Sequence, residues 1–246
     1  MALGMLKTIK EKFYGWRQDR HLEISVDRLR QLELAVQDPK DRWHVPFRFQ
    51  GCGFFKRIRP MQSEREIQGL FDQVRERRPR RVMEIGTCHG GTLYMWCQAA
   101  DPQATLISLD LPSGEFGGGY RDCRAGLYNA FKKPTQHLHL VRADSHDPVN
   151  VGHIRQLLAG QPLDFLFIDG DHTYEGVKKD FDLYSSLVAP GGLVALHDVV
   201  RRVDQPRIEV WRFWDELKQS RRGVREWIES APDRRSIGIG VIEMPS

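Results

Sequence analysis

The feature that most constrains the fold is an alternation of short apolar runs and helical stretches that begins after Pro79. The apolar runs lie at residues 81–85, 105–109, 138–141, 163–168 and 193–196, and the helical patterns lie at 91–100, 121–131, 149–158, 174–187 and 208–219. Strands that alternate with helices form a parallel sheet with helices on both faces. The sequence therefore predicts a doubly wound α/β architecture.

The last two apolar runs break this alternation. Residues 224–228 and 237–244 are joined by a short segment around residues 230–233 that has no room for a crossover helix. Strands joined in this way pair antiparallel. We therefore expect a mostly parallel, seven-stranded, Rossmann-like sheet with an antiparallel hairpin at one edge.

The part of the chain before the alternation is predicted to be an extension of the main domain. We expect residues 1–61 to form a helical and irregular segment that acts as a cap or in oligomerisation, and residues 62–246 to form the main domain. Ser63 and Glu66 have the spacing of a capping box, which predicts that a helix over residues 63–77 begins there.

Two further helices are expected in the extension, at residues 3–16 and 22–36. Apolar residues recur in the first of them at steps of three and four, and lysines add positive charge; the apolar residues are Leu3, Leu6, Ile9, Phe13 and Trp16. A helix with one apolar side packs against the main domain or against a second subunit in a homodimer. The alternative is that it makes a peripheral contact with an anionic membrane surface.

Composition excludes several classes of protein. The 37 Lys and Arg residues against 33 Asp and Glu give a net charge of +4, far from the dense positive charge of a protein that mainly grips nucleic acid. No apolar run approaches the roughly 20 residues that a membrane-spanning helix needs. The four cysteines include no CxxC pair. Neither a disulfide framework nor a zinc site is expected, and the predicted location is the reducing cytoplasm.

Acidic residues stand at the carboxyl ends of all five predicted parallel strands, where sheets of this kind bind ligands. They are Glu84, Asp110, Asp144, Asp169 and Asp198. Glycines follow the first strand in the segment 84–91 and let the backbone approach a ligand closely. Any one of these acids is typical of a turn or a helix cap, and the glycines alone are equally typical of a hinge between strand and helix. Five acids in succession favour a binding site.

These residues resemble those of the class I S-adenosylmethionine-dependent methyltransferases over residues 62–244. The likeness rests on the 84–91 segment, Asp110, the pair Asp144 and Ser145, residues 190–192 and the terminal hairpin. Within that class, FIDGDHTYEGV at residues 167–177 and ALHD at residues 195–198 are similar to small-molecule and sugar O-methyltransferases. These are the relatives of the macrolide O-methyltransferases and of the methyltransferase component of cephalosporin biosynthesis.

The resemblance implies a site for the cofactor S-adenosylmethionine. It implies that Glu84 and Gly86 contact the methionine end, Asp110 the ribose, and Asp144 with Ser145 the adenine. The expected cofactor site also includes Asp169 and the rest of the first loop, namely Thr87, His89, Gly90 and Gly91. The glycine-rich residues 114–120 are interpreted either as a loop that folds over cofactor or substrate or as an ordinary surface loop.

Methylation of a hydroxyl requires a group that lowers the pKa of the hydroxyl or takes its proton. Because Asp169 and Asp198 follow adjacent strands, we expect their oxygens to share a divalent metal such as Mg²⁺ or Mn²⁺. His197 stands where relatives often carry an acid or amide, and it is the candidate third ligand. The resemblance makes His172 the candidate general base beside Asp169; the alternative is that His172 only hydrogen-bonds its own turn.

The leading hypothesis is a metal-assisted O-methyltransferase that acts on a hydroxyl of a small molecule, sugar or glycan. A nucleic-acid methyltransferase is a second hypothesis, but such enzymes normally carry a binding module or an aromatic base-holding motif, for example Asn/Asp-Pro-Pro-Tyr/Phe after the fourth strand. This chain has DGDH there, at residues 169–172. A cofactor-binding protein without catalysis is a third hypothesis, and an NAD-dependent oxidoreductase is a fourth. No nucleic-acid partner is expected.

Overall fold

The fold is built on one sheet of seven strands. The computed structural model describes residues 2–113, 116, 119–221, 223–229 and 237–245, with side chains from residue 15 onward. The strands are β1 (Arg81–Ile85), β2 (Thr105–Asp110), β3 (His137–Arg142), β4 (Leu163–Ile168), β5 (Val188–His197), β6 (Val224–Trp227) and β7 (Ile239–Glu243). Their order across the sheet is β3-β2-β1-β4-β5-β7-β6.

The pairing of the strands confirms the predicted sheet. The first five strands pair in parallel, whereas β7 pairs antiparallel with both β5 and β6. The turn expected at residues 230–233 lies outside the described residues. Strand β5 begins before the predicted residue 193, because Val188 already pairs with Leu163 and the Gly191 N–H donates to the Met244 carbonyl at 2.9 Å.

Eight α-helices are described, and they surround the sheet. They are α1 (Ala2–Ala35), α2 (Val45–Arg48), α3 (Glu64–Arg77), α4 (Gly91–Ala99), α5 (Ala125–Asn129), α6 (Pro148–Leu157), α7 (Tyr174–Tyr184) and α8 (Val210–Ser220). None of the helices in these described ranges combines the length and apolar character that crossing a bilayer requires.

The prediction of two separate helices before residue 36 is wrong, because α1 runs without a break from Ala2 to Ala35. The five residues between the two predicted helices, RQDRH at 17–21, include neither proline nor glycine, so nothing in them stops a helix. The expected apolar side of Leu3, Leu6, Ile9 and Phe13 lies outside the described side chains. Trp16 is 64% exposed.

Side chains of the central strands alternate between two apolar layers. Phe165 and Phe167 of β4 face one layer, where they pack edge-on against Trp96 of α4 with ring centroids 4.9 and 5.4 Å apart. Leu166 and Ile168 face the other layer, which also contains residues of α6, α7 and α8. Because both faces are covered, β4 is apolar at five of its six positions, as is typical of central strands in parallel sheets.

The extension shares the core of the main domain. Its residues Trp43, Phe49 and Phe55 are buried in the same apolar cluster as α4. The division between residues 61 and 62 stays a prediction, and the packing joins the two parts closely.

The predicted capping box at the start of α3 does not form. Ser63 is the N-cap residue, but its side chain makes no capping hydrogen bond and instead donates to the carboxylate of Glu229. Glu66 accepts the backbone N–H of Glu229 at 2.8 Å. A segment far along the chain therefore replaces the local partners, which a local pattern cannot indicate.

Candidate active site

A cavity of about 730 Å³ opens at the carboxyl ends of the parallel strands. Its walls include most of the residues predicted from the strand ends: Gly86, Asp110, Asp144, Ser145, Asp169, His172, His197 and Asp198. A second pocket, of about 20 Å³, adjoins it and is lined by Thr87, His89 and Gly91 among others. Glu84 and Gly90 line neither space.

The first loop is shaped by backbone conformations that bring it against the neighbouring strand ends. Gly86 has φ +88°, and a Cβ placed on it would lie 2.0 Å from the Asp169 carbonyl oxygen, so only glycine fits there. Cys88 also has a positive φ, +45°, and its N–H donates to Asp110 Oδ2 at 3.2 Å. The loop is thus tied to the acid at the end of β2.

Asp110 is almost completely buried, with 4% of its surface exposed. Burial raises its pKa, and hydrogen bonds from backbone N–H groups, that of Cys88 first, oppose this rise. A buried carboxylate that lines the cavity offers acceptor oxygens to hydroxyl donors. This is the chemistry that binding of a ribose requires.

His172 and Asp198 form a hydrogen-bonded pair in the wall of the cavity. His172 Nδ1 lies 2.8 Å from Asp198 Oδ2, and the other oxygen of Asp198 accepts from Arg202 Nη2 at 2.9 Å. Asp198 is 2% exposed and adopts φ +62°, a conformation that is uncommon for residues other than glycine. This turn after β5 aims the carboxylate at His172, in the loop that follows β4.

His197 lines the cavity but lies between the two acids, which engage its Nδ1. Its Nδ1 is 2.9 Å from Asp169 Oδ1 and 3.3 Å from Asp198 Oδ2. Carboxylates only accept hydrogen bonds, so this nitrogen is a donor. Burial alone lowers the pKa of His197, but the charges of Asp169 and Asp198 outweigh burial and raise it to about 10.

The same charges act on the neighbouring groups. Burial lowers the pKa of His172, but the hydrogen bond to Asp198 and the charge of Asp169 outweigh it, so the net shift is upward. Burial opposes ionisation of Asp198, yet the charge of His197 and the hydrogen bond to His172 hold its pKa well below the usual range. Asp198 is therefore a fixed negative charge that orients the His172 ring.

The side chains that could together hold a metal ion differ from the predicted set. Within the part of the chain that the structure describes, Asp169, His172 and Asp198 each offer one ligand atom within 4.8 Å of the others. His197, the predicted third ligand, is outside this group because its Nδ1 donates to both carboxylates. The geometry favours His172 over His197 as a third donor.

Sequence reasoning missed several residues of the site. Gln62 Nε2 donates to Asp169 Oδ2 at 2.6 Å, and the Phe116 ring packs against His172 with centroids 5.0 Å apart. His146 lines the cavity, and its Nε2 lies 3.4 Å from Oδ1 of the buried Asp180. Phe116 carries a signal because it falls in the glycine-rich segment, of which residues 114, 115, 117 and 118 are not described. Gln62 follows no strand and carries no such signal.

The strand order, the glycine loop and the acids at the strand ends define the fold of a class I methyltransferase, as the sequence predicted. Residues 83–199 match the family model described as a methyltransferase domain. The matched segment extends from β1 to the residue after Asp198.

Two curated relatives carry the name uncharacterized protein. One, y4gI of Sinorhizobium fredii, is 28% identical over 151 residues, which are 57% of this chain and 15% of that protein. The other, R132 of Acanthamoeba polyphaga mimivirus, is 35% identical over 127 residues, which are 47% of this chain and 50% of that protein. The chain thus matches half or less of the length of these relatives.

Solved structures share the fold. TomG, an O-methyltransferase of Streptomyces achromogenes in complex with SAM, has a TM-score of 0.55 and 18% identity, with 92% of this chain and 99% of that chain covered. The O-methyltransferase of Bacillus cereus in complex with SAH has a TM-score of 0.52 and 20% identity, with 75% of this chain and 84% of that chain covered. The methyltransferase MycE of the mycinamycin biosynthetic pathway, in complex with Mg and SAH, has a TM-score of 0.52 and 16% identity, with 85% of this chain and 56% of that chain covered.

Proposed function

We propose that this protein transfers a methyl group from S-adenosylmethionine to a hydroxyl of a small molecule or saccharide. The observation that carries the proposal is the hydrogen-bonded pair of His172 and Asp198, which lines the same cavity as the acids of the predicted cofactor site. The methyltransferase domain match and the O-methyltransferases among the fold neighbours support it. The proposal has two forms, one with a histidine base and one with an assisting metal.

The cofactor fits the strand-end side of the cavity. Asp110 offers acceptors for the ribose hydroxyls, and Asp144 with Ser145 lines the part of the wall expected to hold the adenine. Gly86 lets the backbone come close because it has no side chain. When bound, S-adenosylmethionine supplies the methyl group as an electrophile on its sulfonium sulfur.

His172 is the proposed general base. Because Nδ1 is engaged with Asp198, the other ring nitrogen, Nε2, is left to accept the proton of the acceptor hydroxyl. Asp198 fixes the ring orientation and favours the charged ring that forms on proton transfer, as the acid does in a histidine-containing triad. His197 and Arg202 balance the charges of the two acids, so the base acts in a nearly neutral cluster.

Metal assistance is the second form of the proposal, and the group of Asp169, His172 and Asp198 favours it. Two carboxylates and an imidazole are a donor set that suits Mg²⁺ or, with nitrogen present, Mn²⁺. When bound, such an ion lowers the pKa of a coordinated hydroxyl. In this form His172 would be a ligand and would not take the proton.

The acceptor class follows from the rest of the wall. Met61, Phe116 and Ile208 give it apolar surface, while Gln205 and Arg207 add polar groups. This mixture suits a polyhydroxylated or ring-containing small molecule. A cytoplasmic location and assembly into a homodimer remain our proposals, and we propose no nucleic-acid partner.

The first test measures formation of S-adenosylhomocysteine with a panel of hydroxylated acceptors. His172→Ala should lower turnover by roughly 10²- to 10⁴-fold, the usual effect of losing a general base, and leave the Kd for S-adenosylmethionine unchanged. His153→Ala, at an exposed position on α6, is the control. Full activity of His172→Ala would refute the base assignment, and failure of the wild-type protein to bind S-adenosylmethionine would refute the function.

Chelation separates the two forms of the proposal. If a metal assists, treatment with EDTA should abolish turnover, Mg²⁺ or Mn²⁺ should restore it, and calorimetry should detect Mn²⁺ binding that Asp169→Ala loses. Full turnover after chelation, together with the loss in His172→Ala, would leave the histidine base as the mechanism.

A further inference from the structure

The small pocket beside the main cavity is built largely from two segments that lie far apart in the sequence. The lining comes from residues 59–62 of the chain before α3 and from residues 86–89, 91 and 92 of the first loop and α4, together with Asp169. Met61, Gly86, Cys88 and Asp169 line both the pocket and the main cavity. A volume of about 20 Å³ holds one group of the size of a water molecule or an ammonium.

Gln62 presents a hydrogen-bond acceptor in this pocket. Its amide N–H donates to Asp169 Oδ2 at 2.6 Å, and a carboxylate cannot donate in return, so the orientation of the amide is fixed. Gln62 is only 5% exposed, and among the described residues its Oε1 has no hydrogen-bond partner. An acceptor buried without a partner is unfavourable, which indicates that a donor belongs there.

The surroundings indicate what kind of donor fits. Asp169 also lines the pocket, and its carboxylate oxygens only accept hydrogen bonds, so a donor group fits beside Gln62 Oε1, and the volume admits only a small one. The pocket lining also contains Arg59 and the start of α4 at Gly91 and Thr92, where a guanidinium and backbone N–H groups favour a carboxylate. An ammonium and a carboxylate side by side are the head of an amino acid.

We propose that Gln62 binds the amino group of the methionine part of S-adenosylmethionine, with Oε1 accepting a hydrogen bond from the ammonium. This inference rests on the function proposed above and assigns a specificity residue to its cofactor site. It also replaces Glu84, the residue expected near the methionine end, because Glu84 is sealed beneath the loop and lines neither space.

Gln62 lies outside residues 83–199, the segment that matches the methyltransferase domain. Arg124, which is 8% exposed, holds the segment before Gln62 against the loop that follows β1. Arg124 donates to the carbonyl oxygens of Phe54 and Arg57 on one side and of His89 on the other. The segment before α3 is therefore part of the cofactor site and does more than cover it.

The experiment compares ligands with and without the amino-acid head on the full-length chain. Calorimetry measures the Kd of S-adenosylhomocysteine and of 5′-methylthioadenosine for the wild type, for Gln62→Met and for the control Gln50→Leu. Gln50 is exposed and lines neither space. Gln62→Met should weaken S-adenosylhomocysteine by roughly 10- to 100-fold, the scale of a hydrogen bond to a charged group, and leave 5′-methylthioadenosine unchanged. The control should change neither.

Other results overturn the inference. Equal weakening of both ligands would mean that Gln62 only supports the loop, and unchanged binding of both would mean that the amino group lies elsewhere. Either result leaves the proposed function standing, whereas failure of the wild type to bind S-adenosylhomocysteine removes both proposals. If Gln62→Met does not fold, the wild type is titrated with deaminated S-adenosylhomocysteine, which should bind roughly 10- to 100-fold more weakly than the parent; equal affinity would refute the assignment.

Discussion

Replacing Glu84 by Gln tests how burial sets the charge state beneath the site. Glu84 lies on β1 between β2 and β4 and is 0% exposed. Burial raises its pKa from 4.5 to about 8, and the hydroxyls of Thr87 and Thr92 lower it only in part. At neutral pH the folded protein therefore holds a proton that the unfolded chain releases.

The direction and size of the effect follow from this difference. Between pH 4.5 and about 8 the folded state binds more protons than the unfolded state, so stability falls as the pH rises through that window. One pKa unit corresponds to about 1.4 kcal/mol. Relative to its value below pH 4.5, the free energy of unfolding is therefore lower by roughly 3 kcal/mol at pH 7 and by about 5 kcal/mol above pH 8. Glutamine has nearly the same shape and stays neutral, so Glu84→Gln should lack this loss.

Urea unfolding at pH 5, 6, 7 and 8 measures the prediction. The free energy of unfolding of Glu84→Gln minus that of the wild type should grow by about 1.4 kcal/mol per pH unit. Glu175→Gln, at an exposed position on α7, controls for the loss of one negative charge. A difference that stays constant over this range would refute the argument that burial keeps Glu84 protonated.

Four further outcomes are expected. Gly86→Ala should destabilise the protein by roughly 2–4 kcal/mol in urea unfolding, because the new Cβ would meet the Asp169 carbonyl oxygen and the residue has φ +88°. The control Gly152→Ala, in α6 with nothing within 4 Å of the new Cβ, should be neutral or stabilising. Arg124→Met should lower the free energy of unfolding by roughly 3–5 kcal/mol, because three carbonyl groups lose their donor; a change below about 1 kcal/mol would contradict this. Asp110→Ala should weaken S-adenosylmethionine binding roughly 10- to 100-fold in calorimetry, and unchanged affinity would place the ribose elsewhere. A chain that starts at Arg20 should sediment as a smaller species without a change in vesicle flotation if α1 builds a dimer; loss of flotation with anionic vesicles would favour the membrane contact instead.

The sequence was sufficient for the architecture because its patterns are local. Apolar runs of four to six residues that alternate with helical patterns give strands and crossover helices, and β1 and β4 begin and end at the predicted residues. The same rule locates the cavity, because parallel strands carry their ligand-binding ends on one edge. Asp110, Asp144, Asp169 and Asp198 all line it.

Tertiary structure alone decided which partners each of these residues meets. His172 and His197 both stand at strand ends and look alike in the sequence, but only the arrangement of the turns places His197 Nδ1 between two carboxylates and pairs His172 Nδ1 with Asp198. Glu84 and Asp110 both stand at strand ends, yet one is sealed and the other lines the site. Gln62 reaches Asp169 across 107 positions of the chain. Contacts of this kind depend on how distant segments pack, and no periodicity or spacing within one segment encodes that.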